Sequence, residues 1–255
     1  LARGRALFRE DDGDFILLVR AGKMGYFYQL VPKASLQVVF KIPLTGQHPV
    51  KEVQDYYFKK AKKEGYPARS VYKLEEVQKK YGLLQSGNKI LDLGCQPGSW
   101  SMYAARIAGP GGLVVGVDRN RGKTITSPGG ARIVTLCGDI MEDAVVDLIT
   151  SECLLFDVII SDIAPRTSGN KWADQQLSLR LSRRVLQLTG SLLRPGGNFY
   201  CKVFEGEDFR DLFAEAKGLF QRAKVFKPKS SRKESREVFI LGLVKKESLE
   251  FGVGS

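Results

Sequence analysis

Three features of the sequence predict an α/β chain built on a largely parallel sheet. Short apolar runs alternate with helical stretches beyond Gly82, a glycine-rich turn follows the first of those runs, and acidic residues close the next two. Lys89 to Leu93 reads as the first strand of the sheet, Ser101 to Ile107 as a helix, and Gly112 to Val117 as the second strand. Ile133 to Cys137 gives the third strand, Glu142 to Ser151 a helix, and Phe156 to Ser161 the fourth strand. Leu177 to Leu193 is a long helix stopped by Pro195, Gly196 and Gly197, and Asn198 to Phe204 is a buried strand. Phe209 to Phe220 is helical. Ala223 to Lys227 and Val238 to Val244 close the sheet as an antiparallel pair, because too little chain separates them for a crossover helix.

Two helices precede the sheet. The first starts at Asp55 and ends before Gly65 and Pro67; the second runs from Ser70 to Lys80 with Val71, Leu74 and Val77 on one face. Residues 1–50 hold two strand-like runs, Phe15 to Val19 and Leu36 to Ile42, punctuated by Gly22, Gly25, Pro32 and Pro43. The expected plan is an amino-terminal extension over 1–50, either a short hairpin or unstructured, a main domain over 51–246, and a tail over 247–255. The chain begins at Leu1 without a methionine, as a fragment or a misassigned start would. Acidic residues follow at once at Glu10, Asp11, Asp12 and Asp14, and the apolar run after them is too short for a signal peptide.

Composition narrows the function. Among 255 residues, 40 Lys and Arg against 28 Asp and Glu leave a net charge of +12, which favours a polyanionic partner, nucleic acid before an anionic membrane surface. No apolar run approaches the roughly 20 residues that cross a bilayer, so a cytoplasmic protein with no membrane partner is expected. The four cysteines form no CxxC pair and predict no disulfide framework. A single histidine, His48, leaves no material for an imidazole zinc site or a Ser-His-Asp triad, and no metal is expected.

The run Ile90-Leu91-Asp92-Leu93-Gly94-Cys95-Gln96-Pro97-Gly98-Ser99-Trp100 sets glycines between a strand and a helix, where a backbone can approach a ligand closely. It is neither GxGxxG nor a Walker lysine pattern, which argues against a dinucleotide or a nucleoside triphosphate. Asp118 ends the second strand and Asp139 follows the third. Either alone reads as a helix cap or a solvated acid, but together with the glycine turn they predict an adenosine-like ligand at the carboxyl edge of the sheet.

From about Asp55 to Lys246 the chain closely resembles the FtsJ/RrmJ family of S-adenosylmethionine-dependent RNA ribose 2′-O-methyltransferases. The matching stretches are Arg69-Ser70-Val71-Tyr72-Lys73-Leu74, Asp92-Leu93-Gly94 with Pro97-Gly98-Ser99-Trp100, and Ser161-Asp162-Ile163-Ala164-Pro165 with Ser168-Gly169. Lys202-Val203-Phe204-Glu205-Gly206 and Ser230-Ser231-Arg232 with Ser235-Arg236-Glu237-Val238 complete the set. The resemblance implies a Rossmann-like class I methyltransferase fold, a mostly parallel seven-stranded sheet with helices on both faces and an antiparallel last strand. It also implies a catalytic tetrad carried here by Lys73, Asp162, Lys202 and Glu237. Singly these read as a solvated helix lysine, a cap, a strand-edge lysine and an ion-pair partner; collected at apolar strand ends, ionisable groups need a compensating role.

By the same resemblance Lys202 is the base that accepts the ribose hydroxyl proton. The positive charges of Lys73 and the donor sulfonium favour a neutral amine there, while Asp162 and Glu237 oppose it and fix its direction. S-adenosylmethionine is expected at Gly94, Gly98 and Trp100 in the turn, Asp118 at the ribose, Asp139 at the adenine and Asp162 near the methionine end. The family pattern is broken after Asp118 by Arg119-Asn120-Arg121-Gly122-Lys123, and more mildly by Ser99 and Arg166.

RNA is expected along two basic groups that flank the tetrad. Lys59, Lys60, Lys62, Lys63 and Arg69 are interleaved with or follow Tyr56, Tyr57 and Phe58, while Lys217 to Arg236 holds eight Lys or Arg, including Lys229, Arg232, Lys233 and Arg236, against one acid, Glu234. Arg166 adds charge beside the cleft. By the same resemblance the expected substrate is a uridine of large-subunit ribosomal RNA, met by a monomer. The alternatives are a tRNA ribose methyltransferase of the same family, a catalytically silent RNA-binding assembly factor, and an NAD-dependent oxidoreductase, which the missing GxGxxG disfavours.

Overall fold

The computed structural model describes residues 3–4, 8–9, 15–20, 26–31, 49–165, 168–232 and 234–247, and the chain divides into two units, residues 1–47 and 48–255. In the first unit β1 (Arg3–Gly4), β2 (Phe8–Arg9) and β4 (Tyr26–Val31) each pair antiparallel with β3 (Phe15–Arg20). The expected strand at Leu36 to Ile42 lies outside the described residues. Strand β4 was not expected, although its aromatic run between Gly25 and Pro32 carries a strand signal.

The second unit runs α1 (Pro49–Lys63), α2 (Val71–Tyr81), β5 (Lys89–Leu93), α3 (Ser99–Ala108), β6 (Leu113–Asp118), β7 (Arg132–Cys137), α4 (Ala144–Glu152) and β8 (Phe156–Ser161). It continues through α5 (Lys171–Leu192), β9 (Leu193–Phe204), α6 (Phe209–Leu219), β10 (Phe220–Phe226) and β11 (Glu237–Lys245). The sheet order is β10-β11-β9-β8-β5-β6-β7. Its β9, β8, β5, β6 and β7 are parallel neighbours, and β11 runs antiparallel to both β9 and β10. The fold is therefore the expected mostly parallel seven-stranded sheet. The chain leaves β5 first towards β6 and later returns on its other side through β8, so a crevice opens at the carboxyl ends of those strands, where ligands of such sheets bind.

Alternation along the strands divides the core. Leu91, Leu93, Val115, Val117, Ile159, Phe199 and Val203 pack beneath α4, α5 and α6, while Ile90, Val114, Val158, Ile160, Tyr200 and Phe239 pack beneath α2 and α3. Boundaries differ from the sequence expectation where polar chemistry starts an element. Helix α1 begins at Pro49, a residue preorganised for a first helical position. Helix α5 begins six residues before Leu177, because the Asn170 side chain accepts hydrogen bonds from the Trp172 and Ala173 amides at 3.1 and 3.2 Å. Strand β9 carries Pro195, Gly196 and Gly197 within it, at an irregularity in its pairing with β8.

Candidate active site

Sheet register brings the four tetrad positions together. Ser161 of β8 lies opposite Cys201 of β9, so the next residues, Asp162 and Lys202, leave the two strands side by side. Across the antiparallel β9–β11 pair Lys202 faces Phe239, and Glu237, two residues earlier, shares that sheet face. Lys73 enters from the first turn of α2, whose Leu74 and Val77 pack on the same face. The Tyr200 hydroxyl donates to the Lys73 carbonyl at 3.2 Å and fixes that turn. Under the charged groups Trp100, Tyr200 and Phe239 form a stack with centroid spacings of 4.6 to 6.0 Å. The tetrad therefore stands on a rigid aromatic floor.

The polar contacts form one chain. Lys73 Nζ lies 2.7 Å from Glu237 Oε2 and 3.4 Å from Asp162 Oδ1. Lys202 Nζ, in a residue 5% exposed, donates to Asp162 Oδ1 at 2.9 Å and also to the Asp162 carbonyl. The Ser231 hydroxyl donates to Glu237 Oε1 at 2.8 Å. Burial alone would push the Lys73 ammonium down, but Asp162 and Glu237 outweigh it and hold Lys73 above its ordinary value. Burial alone would likewise raise Asp162, yet Lys202 and Lys73 hold its carboxyl below the usual range. Lys73 and Asp162 are thus fixed charges.

The glycine turn builds the neighbouring pocket. Gly94 has φ +79° and its missing Cβ would fall on Ile163, the residue after Asp162, so the turn lies directly against the tetrad loop. Gly98 has φ +112° and heads α3. The Gln96 amide N–H donates to Asp118 Oδ2 at 3.1 Å, and Asn120 donates to Asp118 Oδ1 through its backbone at 2.9 Å and its side chain at 3.2 Å. Asp118 thereby ties the turn to the end of β6 while Oδ2, which accepts one hydrogen bond, keeps a free lone-pair direction. Asp139 accepts from the Met141 amide at 2.9 Å and pairs with Arg119 at 3.2 Å. Arg119, in the stretch that breaks the family pattern, is the residue that reaches Asp139. The Gln96 Nε2 is buried beside Gly122 without a partner among the described residues. An open edge of glycine backbone, two carboxylates and an unpartnered amide suits an adenosine-like ligand.

Trp100 is placed differently from the other expected ligand contacts. It is 3% exposed, its Nε1 donates to the Ser70 carbonyl at 2.8 Å, and its ring stacks on the core aromatics Tyr200 and Phe239. Beside it the Ser99 hydroxyl accepts from the Ala68 amide at 2.8 Å. These two residues bolt the glycine turn to the segment that leads into Lys73. Sequence reasoning did not single out Ser231, which steadies Glu237, although it lies in a matched stretch. It also did not single out Asp92, 1% exposed, which accepts from the Ser101 hydroxyl at 2.6 Å and whose carboxyl burial pushes up to about 7. An acid inside an apolar strand was the available signal for Asp92.

The basic residues divide into groups. Lys59, Lys62 and Lys63 are exposed, whereas Lys60 sits over the Tyr72 ring at 4.2 Å and near Glu64 and Glu75 at 3.7 and 3.6 Å, drawn into the packing. Burial first, and then nearby Arg232, push the Arg69 guanidinium down from its ordinary value while Glu237 opposes them, which places both arginines next to the tetrad. Glu76 accepts the amides of Lys229 and Ser230 at 2.7 and 2.9 Å and fixes the loop that carries Lys229 and Arg232. Arg236 is exposed immediately before Glu237. Arg166 and Lys233 lie outside the described residues. Among the described residues no group of three or more His, Cys, Asp or Glu is arranged to hold a metal, and no helix is long and apolar enough to cross a membrane.

The model of FtsJ-like methyltransferases matches residues 66–245, the segment that holds the glycine turn and all four tetrad positions. The chain belongs to this family. It is 50% identical over 194 residues to ribosomal RNA large subunit methyltransferase E of Desulfotalea psychrophila, covering 76% of this chain and 96% of the relative. The protein of the same name from Desulfosudis oleivorans is 46% identical over 207 residues, covering 79% and 96%. Among solved structures, a Plasmodium falciparum protein described as a ribosomal RNA methyltransferase superposes with a TM-score of 0.62 at 28% identity, over 72% of this chain and all of that one. FtsJ-like membership agrees with the expected methyltransferase and leaves the oxidoreductase alternative without support.

Proposed function

We propose that this methyltransferase modifies a ribose 2′-hydroxyl of RNA, a uridine of the large ribosomal subunit, with S-adenosylmethionine as methyl donor. The observation that carries the reading is the Lys73–Asp162–Lys202–Glu237 chain of contacts beside the glycine turn, in a chain 50% identical to a large-subunit ribosomal RNA methyltransferase. S-adenosylmethionine, when bound, supplies an activated methyl group on a positively charged sulfonium. Asp118 would hold the donor's ribose hydroxyls, Asp139 and Arg119 its adenine side, and the backbone at Gly94 and Gly98 its amino-acid end.

Lys202 is the proposed base. A neutral amine has two N–H bonds and one lone pair. Here both N–H bonds have acceptors, the carbonyl and the carboxylate of Asp162, so the lone pair is left pointing in one direction, away from Asp162. The hydroxyl proton would pass to that lone pair as the ribose oxygen bonds the methyl carbon and the carbon–sulfur bond breaks, its electron pair leaving a neutral thioether. Lys73, kept charged by two carboxylates, is suited to hold the ribose or its phosphate and not to accept the proton. With Lys202 neutral the cluster carries one net negative charge and so favours a cationic neighbour. Arg69 and Arg232 near Glu237, with Lys229 on the preceding loop and Arg236 next in sequence, would supply phosphate-binding charge.

The reading is tested by incubating the chain with methyl-tritiated donor and either large ribosomal subunits or bulk tRNA, then digesting the RNA to nucleosides. Label is expected in a 2′-O-methylnucleoside from the subunits. Label in tRNA would transfer the reading to the tRNA alternative, and label in neither would favour a silent assembly factor.

A further inference from the structure

Beyond the tetrad lies a second cleft of about 670 Å³, between the first turns of α5 and the β9–α6 connection. Lys171, Trp172 and Gln175 line one wall, Glu205 to Glu207 and Arg210 the other, and Arg236 closes the end. Its volume is that of a small-molecule subsite. Three observations point to a ligand. Trp172 is 66% exposed, a large aromatic ring left in water on an otherwise polar helix start. Gln175 is 6% exposed, and its Nε2 has no hydrogen-bond partner among the described residues. The absence of a side chain at Gly206 makes room for that amide, since a Cβ there would fall on it. A buried amide donor without an acceptor is costly, so the Gln175 amide gains by turning from Gly206 towards an acceptor in the cleft.

The cleft is tied to the catalytic strand. Glu205 and Gly206 continue directly from Lys202, and the Glu205 amide donates to the Arg236 carbonyl at 2.9 Å, one residue before Glu237. Four residues at about 3.3 Å each put Gly206 no more than about 13 Å from Lys202, within reach of an adjoining nucleotide. None of Lys171, Arg210 and Arg236 pairs with a described carboxylate within 4.0 Å, which leaves them for phosphates. Glu205 and Glu207 on the rim oppose phosphate but can accept from the exocyclic amine of a base.

We propose that this cleft is a base-accepting subsite for a nucleotide flanking the methylated one, with Trp172 as stacking platform and Gln175 as the amide that hydrogen-bonds the base edge. The inference rests on the RNA reading and adds to it how the strand is gripped. The sequence carried no signal beyond an aromatic in the first turn of a helix; only the fold sets Trp172 opposite Gly206 and Arg210.

The test uses the full chain with large ribosomal subunits for kinetics and a single-stranded dodecamer RNA for fluorescence. Loss of one stacked base weakens binding about 5- to 160-fold. Trp172→Ala is expected to raise KM for subunits about tenfold with kcat within about twofold, and Trp172→Phe, which keeps a ring, to bring KM back within about threefold of the original. The chain has two tryptophans, and Trp100 is buried. Saturating dodecamer should therefore quench the emission and acrylamide accessibility of Trp172, and Trp172→Phe should abolish that response. If the unaltered chain methylates subunits yet Trp172→Ala leaves KM unchanged, or bound dodecamer leaves Trp172 emission unchanged, the subsite is wrong and the RNA reading stands. If the unaltered chain methylates no RNA, both fall.

Discussion

Replacing Lys202 by arginine separates a base from a mere cation. The guanidinium keeps the positive charge and can still donate to Asp162, so the ion pair now at 2.9 Å survives. What disappears is the lone pair, because arginine stays protonated at any useful pH. Removal of a general base costs about 10²- to 10⁴-fold, or about 3 to 5 kcal/mol of barrier. Lys202 is 5% exposed and its neighbours are Phe239 and the Asp162 loop, so the larger head adds an overpacking cost of about 1 to 3 kcal/mol in stability. The assay is single-turnover methyl transfer to large ribosomal subunits. Donor affinity by calorimetry and the denaturation midpoint are followed alongside, to confirm that the variant folds and binds. A rate above about a tenth of the original in a folded, donor-binding Lys202→Arg would refute the base. Lys202 would then only position the ribose, and the proton would leave to water.

Asp118→Ala should weaken S-adenosylmethionine binding by about 1.5 to 3 kcal/mol, the worth of a charge-assisted hydrogen bond; unchanged affinity by calorimetry would place the ribose contact elsewhere, with Arg119 and Asp139 the first candidates. Lys229→Ala with Arg232→Ala should lower the salt slope of RNA binding by about 0.7 to 0.9 for each phosphate no longer neutralised, and an unchanged slope would make that loop a solvated face. Asp92 holds its proton up to about 7 when folded against 3.8 when unfolded, so the folded chain binds the extra proton and stability falls as pH rises from about 4 to 7, then levels off. The loss amounts to about 4 kcal/mol above pH 7. Asp92→Asn should thus stabilise the chain by up to about 4 kcal/mol at pH 8 but only about 1.5 at pH 5, measured by urea denaturation, and an equal effect at both pH values would contradict a buried neutral acid.

The central parallel strands were legible because they are largely apolar runs buried on both faces, as in Ile90 to Leu93 and Phe156 to Ile160, while β7 at the sheet edge is only partly buried. Their order across the sheet was supplied by family resemblance, since periodicity carries no information about which strands pair. The tetrad positions came from matched motifs and Lys202 was already expected as the base, but the contacts that separate the two lysines were not legible. The separation depends on Lys73 meeting two carboxylates while both N–H directions of Lys202 are spent on one residue, a three-dimensional fact. Trp100 illustrates a limit of motif transfer: the same letters that mark a ligand turn also fill the core beneath it, and the indole stacks on Tyr200 and Phe239. The early start of α5 was missed because Asn170, its cap, stands in a polar stretch that reads as loop until its side chain is seen accepting two amides.

The central claim is that the reacting atom is a ribose oxygen of large-subunit RNA. Large ribosomal subunits from cells lacking this enzyme, incubated with the chain and S-adenosylmethionine, should yield RNA with one new site of resistance to alkaline cleavage, 3′ of a uridine, because a methylated 2′-oxygen cannot attack the adjoining phosphate. The same subunits incubated with Lys202→Arg should remain cleavable there. Methyl incorporation into subunit RNA with no new alkali-resistant position would place the methyl group on a base and contradict the account.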